Sequence, residues 1–240
     1  SLLTGQYPHN NGMVGLAHRG FRLDNYRHHL VHTLRQAGYT STLIGMQHIA
    51  VDPEMIGYDR CVKTATDRVE HVAPAAIDFL DAAPAEPFFL AVGFTEIHRD
   101  FLPPGETPAD SRYCLPPPPL PDLPQIRADM AAFKTGAQVL DQGIGAVLDA
   151  LVRNRLASNT LILCTTDHGI AFPGMKCNLT DHGLGVMLIL RGPGGFSGGK
   201  VIDAMVSHLD LFPTLCELLE IDPPPWLQGR SLLSLLKGQA

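Results

Sequence analysis

The 240 residues carry 18 Lys and Arg against 24 Asp and Glu, a formal net charge of −6, which argues against a general binder of nucleic acid or anionic membrane. With 45% hydrophobic and 18% charged residues the chain can bury a core, so global disorder is excluded, and its length suits one large domain or two small ones. The longest apolar stretches, 87–94 and 186–190, are too short to span a bilayer, and five Cys without CxxC spacing argue against a disulfide framework or zinc knuckle.

In chain order, Tyr26 to Ala37 is amphipathic, with Leu30, Val31 and Leu34 at helical spacing and Gly38 where a C-terminal cap belongs. Thr40 to Gly45 reads as a short buried strand and Val69 to Ala83 as a helix. Pro87 to Phe94 (PFFLAVGF) is a buried strand. Pro103 to Pro124 holds nine prolines and is expected to be a long ordered surface loop inserted in one domain, with an interdomain linker as the other reading. Arg127 to Asn154 is a long helix with an apolar stripe from Met130 to Leu151. Thr160 to Thr165 and Val186 to Arg191 are strands, Leu209 to Leu219 is a helix with Pro213 in its first turn, and Ser231 to Leu236 is a short closing helix. Apolar strands alternating with helices predict an α/β fold, a mostly parallel central sheet with helices on both faces.

Ligands of open α/β sheets bind beyond the carboxyl ends of the strands. After the strand at 40–45 come Met46, Gln47 and His48. After 87–94 come Thr95, Glu96, Ile97, His98, Arg99 and Asp100. After 160–165 come Thr166, Asp167, His168 and Gly169. Three His and an Asp gathered at one sheet edge have the parts of a metal or hydrolytic site. Asp167-His168 suits a divalent cation, carboxylate oxygen beside imidazole nitrogen, although a turn or helix cap needs the same residue types. Lys176, nine residues past Asp167, reads either as an ammonium aimed at the same anion or as a solvated loop lysine. Gly192-Pro193-Gly194-Gly195 lacks the ending of a phosphate loop and reads as a turn. The His- and Arg-rich stretch His18 to His32 reads as a solvated face, with polyanion docking as the other reading.

Taken together these stretches resemble the sulfatase family of the alkaline-phosphatase superfamily, and within it the branch of heparan N-sulfatases (sulfamidases) and their bacterial relatives. Ser1-Leu2-Leu3-Thr4-Gly5 resembles the tail of the signature Cys/Ser-x-Pro-Ser-Arg-x-Ser-Leu-Leu-Thr-Gly. Asn11 to Leu16, Leu34 to Thr40, Ile44-Gly45, Phe88 to Arg99, Leu140 to Gly145, Thr165 to Gly169 and Ser207 to Leu215 follow in the family's order. The resemblance implies Ca2+ ligated by Asp167 and His168, the latter where many members have Asn. It implies that His48 takes a proton from the formylglycine hydrate, that His98 hydrogen-bonds the sulfate or the leaving group, and that Lys176 is the cation on the sulfate. The implied substrate is a sulfated small molecule or glycan, in particular a sulfated sugar or aryl sulfate.

The departures from the family are equally specific. Met46 stands where the family has Lys in Gly-Lys-x-His, which removes one charged sulfate contact. The formylglycine nucleophile, its neighbouring Arg and the paired metal aspartates belong before Ser1, and a smaller subdomain belongs after Ala240. Residues 1–240 are therefore expected to be part of a sulfatase catalytic domain, lacking the N-terminal strand and the C-terminal subdomain and inactive by themselves. Localisation and oligomeric state stay open. Two alternatives remain: a phosphodiesterase or phosphonate monoester hydrolase of the same superfamily, and a catalytically inactive, glycan-binding relative, which Met46 favours.

Overall fold

The computed structural model describes residues 1–193, 196 and 199–238. Gly194 and Gly195 of the glycine-rich turn lie outside the described residues. In chain order the regular elements are α1 (Pro8–Asn11), α2 (Leu30–Gln36), β1 (Thr40–Gly45), β2 (Arg60–Val62), α3 (Val69–Asp81), β3 (Phe88–Gly93), α4 (Pro124–Arg153), β4 (Ile162–Thr165), α5 (Asp181–Leu184), β5 (Leu188–Arg191), α6 (Leu211–Leu218) and α7 (Leu233–Leu236). No helix among the described residues is long and apolar enough to cross a membrane.

The chain divides into two compact units. The first comprises Ser1–Thr64, Ala83–Gly93 and Gly195–Ala240, and the second comprises Ala65–Ala82 and Phe94–Gly194. In the first, β1 is the middle of a parallel three-stranded sheet, paired with β2 on one side and β3 on the other. Thr42 stands opposite Arg60 and Leu90, and Gly45 opposite Gly93. Its core has two parts: Val31, Leu43, Ile56 and Tyr58, and Leu30, Leu34, Phe212 and Cys216. The expected helix over 26–37 is interrupted. His29 adopts an extended conformation, ends a single 3-10 turn at 26–28 and caps α2 by accepting the Val31 N–H. Ala37 ends α2, and Gly38, at φ 86°, takes the left-handed position that follows a helix end.

The second unit packs α3 against α4. The contact is close because Gly143 has no side chain: a Cβ there would stand 2.0 Å from Val69 Cγ2. Its core gathers Phe101, Cys114, Met130, Phe172 and Met175. The Pro-rich segment 103–124 is ordered through one 3-10 turn, Ser111–Tyr113, and Cys114 sits buried in that core. The strands β4 and β5 pair antiparallel, Cys164 opposite Ile189. The parallel arrangement expected from sequence thus describes the three-stranded sheet, and the pair β4–β5 departs from it. A single loop of about 20 residues joins β4 to β5, with room for a return but no crossover helix of useful length.

Candidate active site

His98 lies in a tight turn just past β3. Its backbone N–H donates to the Thr95 carbonyl at 2.8 Å. Ring Nδ1 faces the Arg99 carbonyl oxygen, which can only accept, so in the neutral ring the proton sits on Nδ1 and Nε2 presents its lone pair. The Lys176 ammonium occupies that lone pair, Nζ to Nε2 at 3.0 Å, across 78 residues of sequence. Two residues that the sequence placed in separate loops thus form a direct contact. Beyond His98, Arg99 pairs with Asp129 of α4, its guanidinium lies over the Phe101 ring at 4.9 Å, and Phe101 enters the core. Gly136 of α4 admits this loop, since a Cβ there would meet the Phe101 carbonyl oxygen at 2.5 Å.

Asp167 and His168 follow β4. The same tautomer logic applies: His168 Nδ1 is spent on the Gly169 carbonyl at 2.6 Å, leaving Nε2 free to ligate, 3.5 Å from Asp167 Oδ1. The Asp167 side chain is 79% exposed, so its charge costs little to leave without a buried partner. One carboxylate oxygen and one imidazole lone pair side by side form a donor set that fits a divalent cation. They supply only part of a coordination shell: among the described residues no three His, Cys, Asp or Glu are grouped to hold an ion. The third member of the triplet is fixed sterically. Gly169 N–H donates to the Gly183 carbonyl at 3.0 Å, and a Cβ on Gly169 would stand 1.8 Å from the His182 carbonyl oxygen. Asp-His-Gly recurs at 181–183, so the backbones of two identical triplets lie against each other.

His48 belongs to the first unit, whereas His98, Asp167, His168 and Lys176 all belong to the second. The His48 carbonyl accepts from Ala17 N–H at 3.1 Å, and its ring meets the His18 ring edge to face at 5.4 Å. The loop beneath it is built by Gln47, whose amide oxygen accepts from Ile49 and Ala50 N–H and whose amide nitrogen donates to the Ala50 carbonyl. Met46 N–H donates to the Gly93 carbonyl at 2.9 Å, and a Cβ on Gly93 would meet the Met46 carbonyl oxygen at 2.1 Å. A groove of about 790 Å³, lined by Glu217, Pro224, Arg230 and their neighbours in the first unit, contains none of these site residues.

The family model described as Sulfatase matches residues 1–221. The chain belongs to the sulfatase family. It is 31% identical over 284 residues to N-sulphoglucosamine sulphohydrolase of Homo sapiens, covering 100% of this chain and 56% of that protein. It is 32% identical over 120 residues to choline-sulfatase of Rhizobium meliloti, covering 47% and 23% respectively. The chain therefore spans little more than half the length of the first of these relatives. Among solved structures, phosphonate monoester hydrolase SpPMH from Silicibacter pomeroyi superposes with TM-score 0.78 at 22% identity, covering 100% of this chain and 66% of that one. BT4656 in complex with its substrate D-glucosamine-2-N,6-O-disulfate superposes with TM-score 0.80 at 17% identity, covering 100% and 69%. At such identities these two likenesses speak for the fold, the α/β fold expected of a sulfatase, and not for the substrate.

Proposed function

We propose that the protein containing this chain is a metal-dependent hydrolase of sulfuric esters or sulfamates, acting on a sulfated sugar or an aryl sulfate. The observation that carries the reading is the contact between Lys176 Nζ and His98 Nε2, in the same unit as Asp167 and His168. An ammonium held beside an imidazole is a preassembled donor site for the oxygens of a tetrahedral anion. On binding, Lys176 turns its N–H groups from Nε2 to the sulfate oxygens and stabilises their charge. Freed from the ammonium, Nε2 takes a proton from solvent water and delivers it to the departing oxygen or nitrogen, while the Nδ1–H on the Arg99 carbonyl fixes the ring. Asp167 and His168 would hold calcium, which would neutralise charge on the sulfate. His48 would take a proton from the formylglycine hydrate that the family resemblance implies as nucleophile, which would expel sulfate. The sequence relatives named sulfatases and sulphohydrolases favour sulfur over phosphorus as the reacting centre.

The test is a panel of aryl sulfate, aryl phosphate and aryl phosphonate esters with N-sulfated glucosamine, run on the full-length protein. The sulfate ester or sulfamate is expected to give the highest kcat/KM. Asp167→Ala should lower it by about 10³-fold or more and weaken calcium binding. A phosphonate preference would move the assignment to the phosphorus branch of the superfamily. Glycan binding without turnover would make the protein an inactive relative, and full activity in Asp167→Ala would remove that residue from the site.

A further inference from the structure

The acid two residues before His98 has no role in the function proposed above, yet it is the most deeply buried carboxylate near the site. The Glu96 side chain is 3% exposed. Its Oε2 accepts the Val69 N–H, at the first residue of α3, at 2.9 Å. Its Oε1 is buried without a hydrogen bond and faces Arg68 Nη1 at 3.5 Å. A carboxylate is expensive to bury, and the start of a 13-residue helix offers the compensation: a free N–H and the positive end of the helix dipole. Nothing on α3 itself fills that role, because its N-cap residue, Arg68, makes no side-chain cap. The same stretch is tied a second time, Thr95 N–H donating to the Asp67 carbonyl at 2.8 Å. The turn closed by His98 N–H on the Thr95 carbonyl is thus fastened to residues 67–69 at both Thr95 and Glu96. Residues 67–69 in turn are seated on α4 where Gly143 receives Val69.

We propose that Glu96 is a positioning residue for the His98–Lys176 pair. It clamps the turn 95–98 to the start of α3 and so holds the His98 ring where Nε2 meets Lys176, without touching the substrate. Its effect on rate rests on the hydrolase reading above; its effect on geometry does not.

The experiment compares Glu96→Ala, Glu96→Asp and Glu96→Gln in the full-length protein, by kinetics on an aryl sulfate and by crystal structures of the variants. Ala deletes the acceptor, Asp withdraws the carboxylate by one methylene while keeping its charge, and Gln retains an oxygen for Val69 N–H. For Ala and Asp, kcat is expected to fall about 10- to 100-fold with KM within about twofold, since a misplaced group costs most in the transition state. In both, the distance from His98 Nε2 to Lys176 Nζ should lengthen by about 1 Å or more. Gln should restore the contact and bring kcat to within about threefold of wild type. If Ala proves insoluble, Asp against Gln decides the matter. Wild-type geometry in Glu96→Asp, or a failure of Gln to rescue, overturns the proposal. A wild-type protein inactive on every ester overturns the proposed function instead, and the crystallographic comparison still tests the clamp.

Discussion

Asp59, one residue before β2, and Asp167, two residues past β4, are both aspartates beside strands, with opposite surroundings. Asp59 Oδ2 accepts from Ser41 N–H and Ser41 Oγ, both at 2.7 Å, and Oδ1 accepts from the Arg35 guanidinium. Burial raises its proton affinity, but the hydrogen bonds from Ser41 and Arg35 together outweigh it and hold the carboxyl below its usual range. Asp167, 79% exposed, faces only the adjacent His168 at 3.5 Å. A saturated carboxylate has its lone pairs committed to the fold and little left for a ligand. An open one contributes little to stability and keeps its oxygens for an incoming cation. The histidines of the two units differ in burial instead. His29 is fully buried behind α2, whereas His98 is exposed and engaged on both nitrogens by a carbonyl and an ammonium. Asp59 is thus committed to the fold, and Asp167 is available to a ligand.

The largest effect that sharpens this contrast concerns His29. Its Nδ1 accepts the Val31 N–H, so the proton lies on Nε2, which is buried without a hydrogen-bond partner beside the edge of Tyr58. Burial, with the nearby His32 and the chain's amino group, pushes its pKa down to about 3, from an ordinary value of 6.5. Above pH 6.5 the ring is neutral in both the folded and unfolded states and pH does not matter. Below 6.5 the unfolded chain binds a proton that the folded chain refuses, so stability falls from there down to about pH 3. At about 1.4 kcal/mol per pH unit, the loss reaches about 3 kcal/mol by pH 4. His29→Asn keeps a capping acceptor and does not titrate. Denaturant unfolding at several pH values should show wild type losing stability relative to this variant as pH falls. A constant difference between the two would mean that His29 titrates normally.

A smaller effect tests the aspartates directly. Asp59→Ala leaves the N–H of Ser41, a residue 1% exposed, without its acceptor and should cost about 2 kcal/mol in equilibrium unfolding. Asp167→Ala should change stability by no more than about 0.5 kcal/mol, as befits an exposed side chain outside any network. Equal losses in the two variants would break the distinction between saturated and open carboxylates.

The elements that read clearly from sequence are those with long periodic or continuous apolar patterns, and the site residues that read clearly are those placed just beyond them. Val69 to Asp81 and Phe88 to Gly93 fall close to their expected limits because each carries its own signal. β2 was not visible, since Arg60-Cys61-Val62 becomes a strand only by pairing with β1. His29 broke an otherwise regular amphipathic run because its ring caps the helix from outside it, a choice made by the buried surroundings of the ring. Asp167-His168-Gly169 was legible as a post-strand triplet, yet the reason for the glycine, the backbone of 182–183 lying against it, is a contact between distant loops. Likewise no spacing rule brings Lys176 to His98; the family resemblance proposed roles for both, and their contact is a property of the fold. Glu96 stood in plain view after β3 and carried no motif. Its meaning depends on a helix start 27 residues earlier in the chain.

The smallest effect concerns a polar stretch before α6. Ser207 to Leu215 lies within the resemblance, and its Ser, His and Asp invite a catalytic role. The local geometry assigns Ser207 and Asp210 to architecture instead. Ser207 Oγ accepts from Leu209 N–H, and Asp210 returns the bond by accepting Ser207 N–H at 2.9 Å, a reciprocal cap at the start of the turn leading into α6. The other oxygen of Asp210 accepts from Arg230 N–H, and Thr214 donates to the Asp210 carbonyl while accepting from Leu232 N–H. The cluster therefore fastens the segment 230–232 to α6, as Asp59 fastens β1 to the chain before β2. Ser207→Ala removes one side of a cap whose other bonds survive, and should cost about 1 kcal/mol in unfolding while leaving kcat/KM on a sulfate ester unchanged. A rate loss exceeding tenfold without a matching loss of stability would move this cluster from the saturated class of polar groups to the open one.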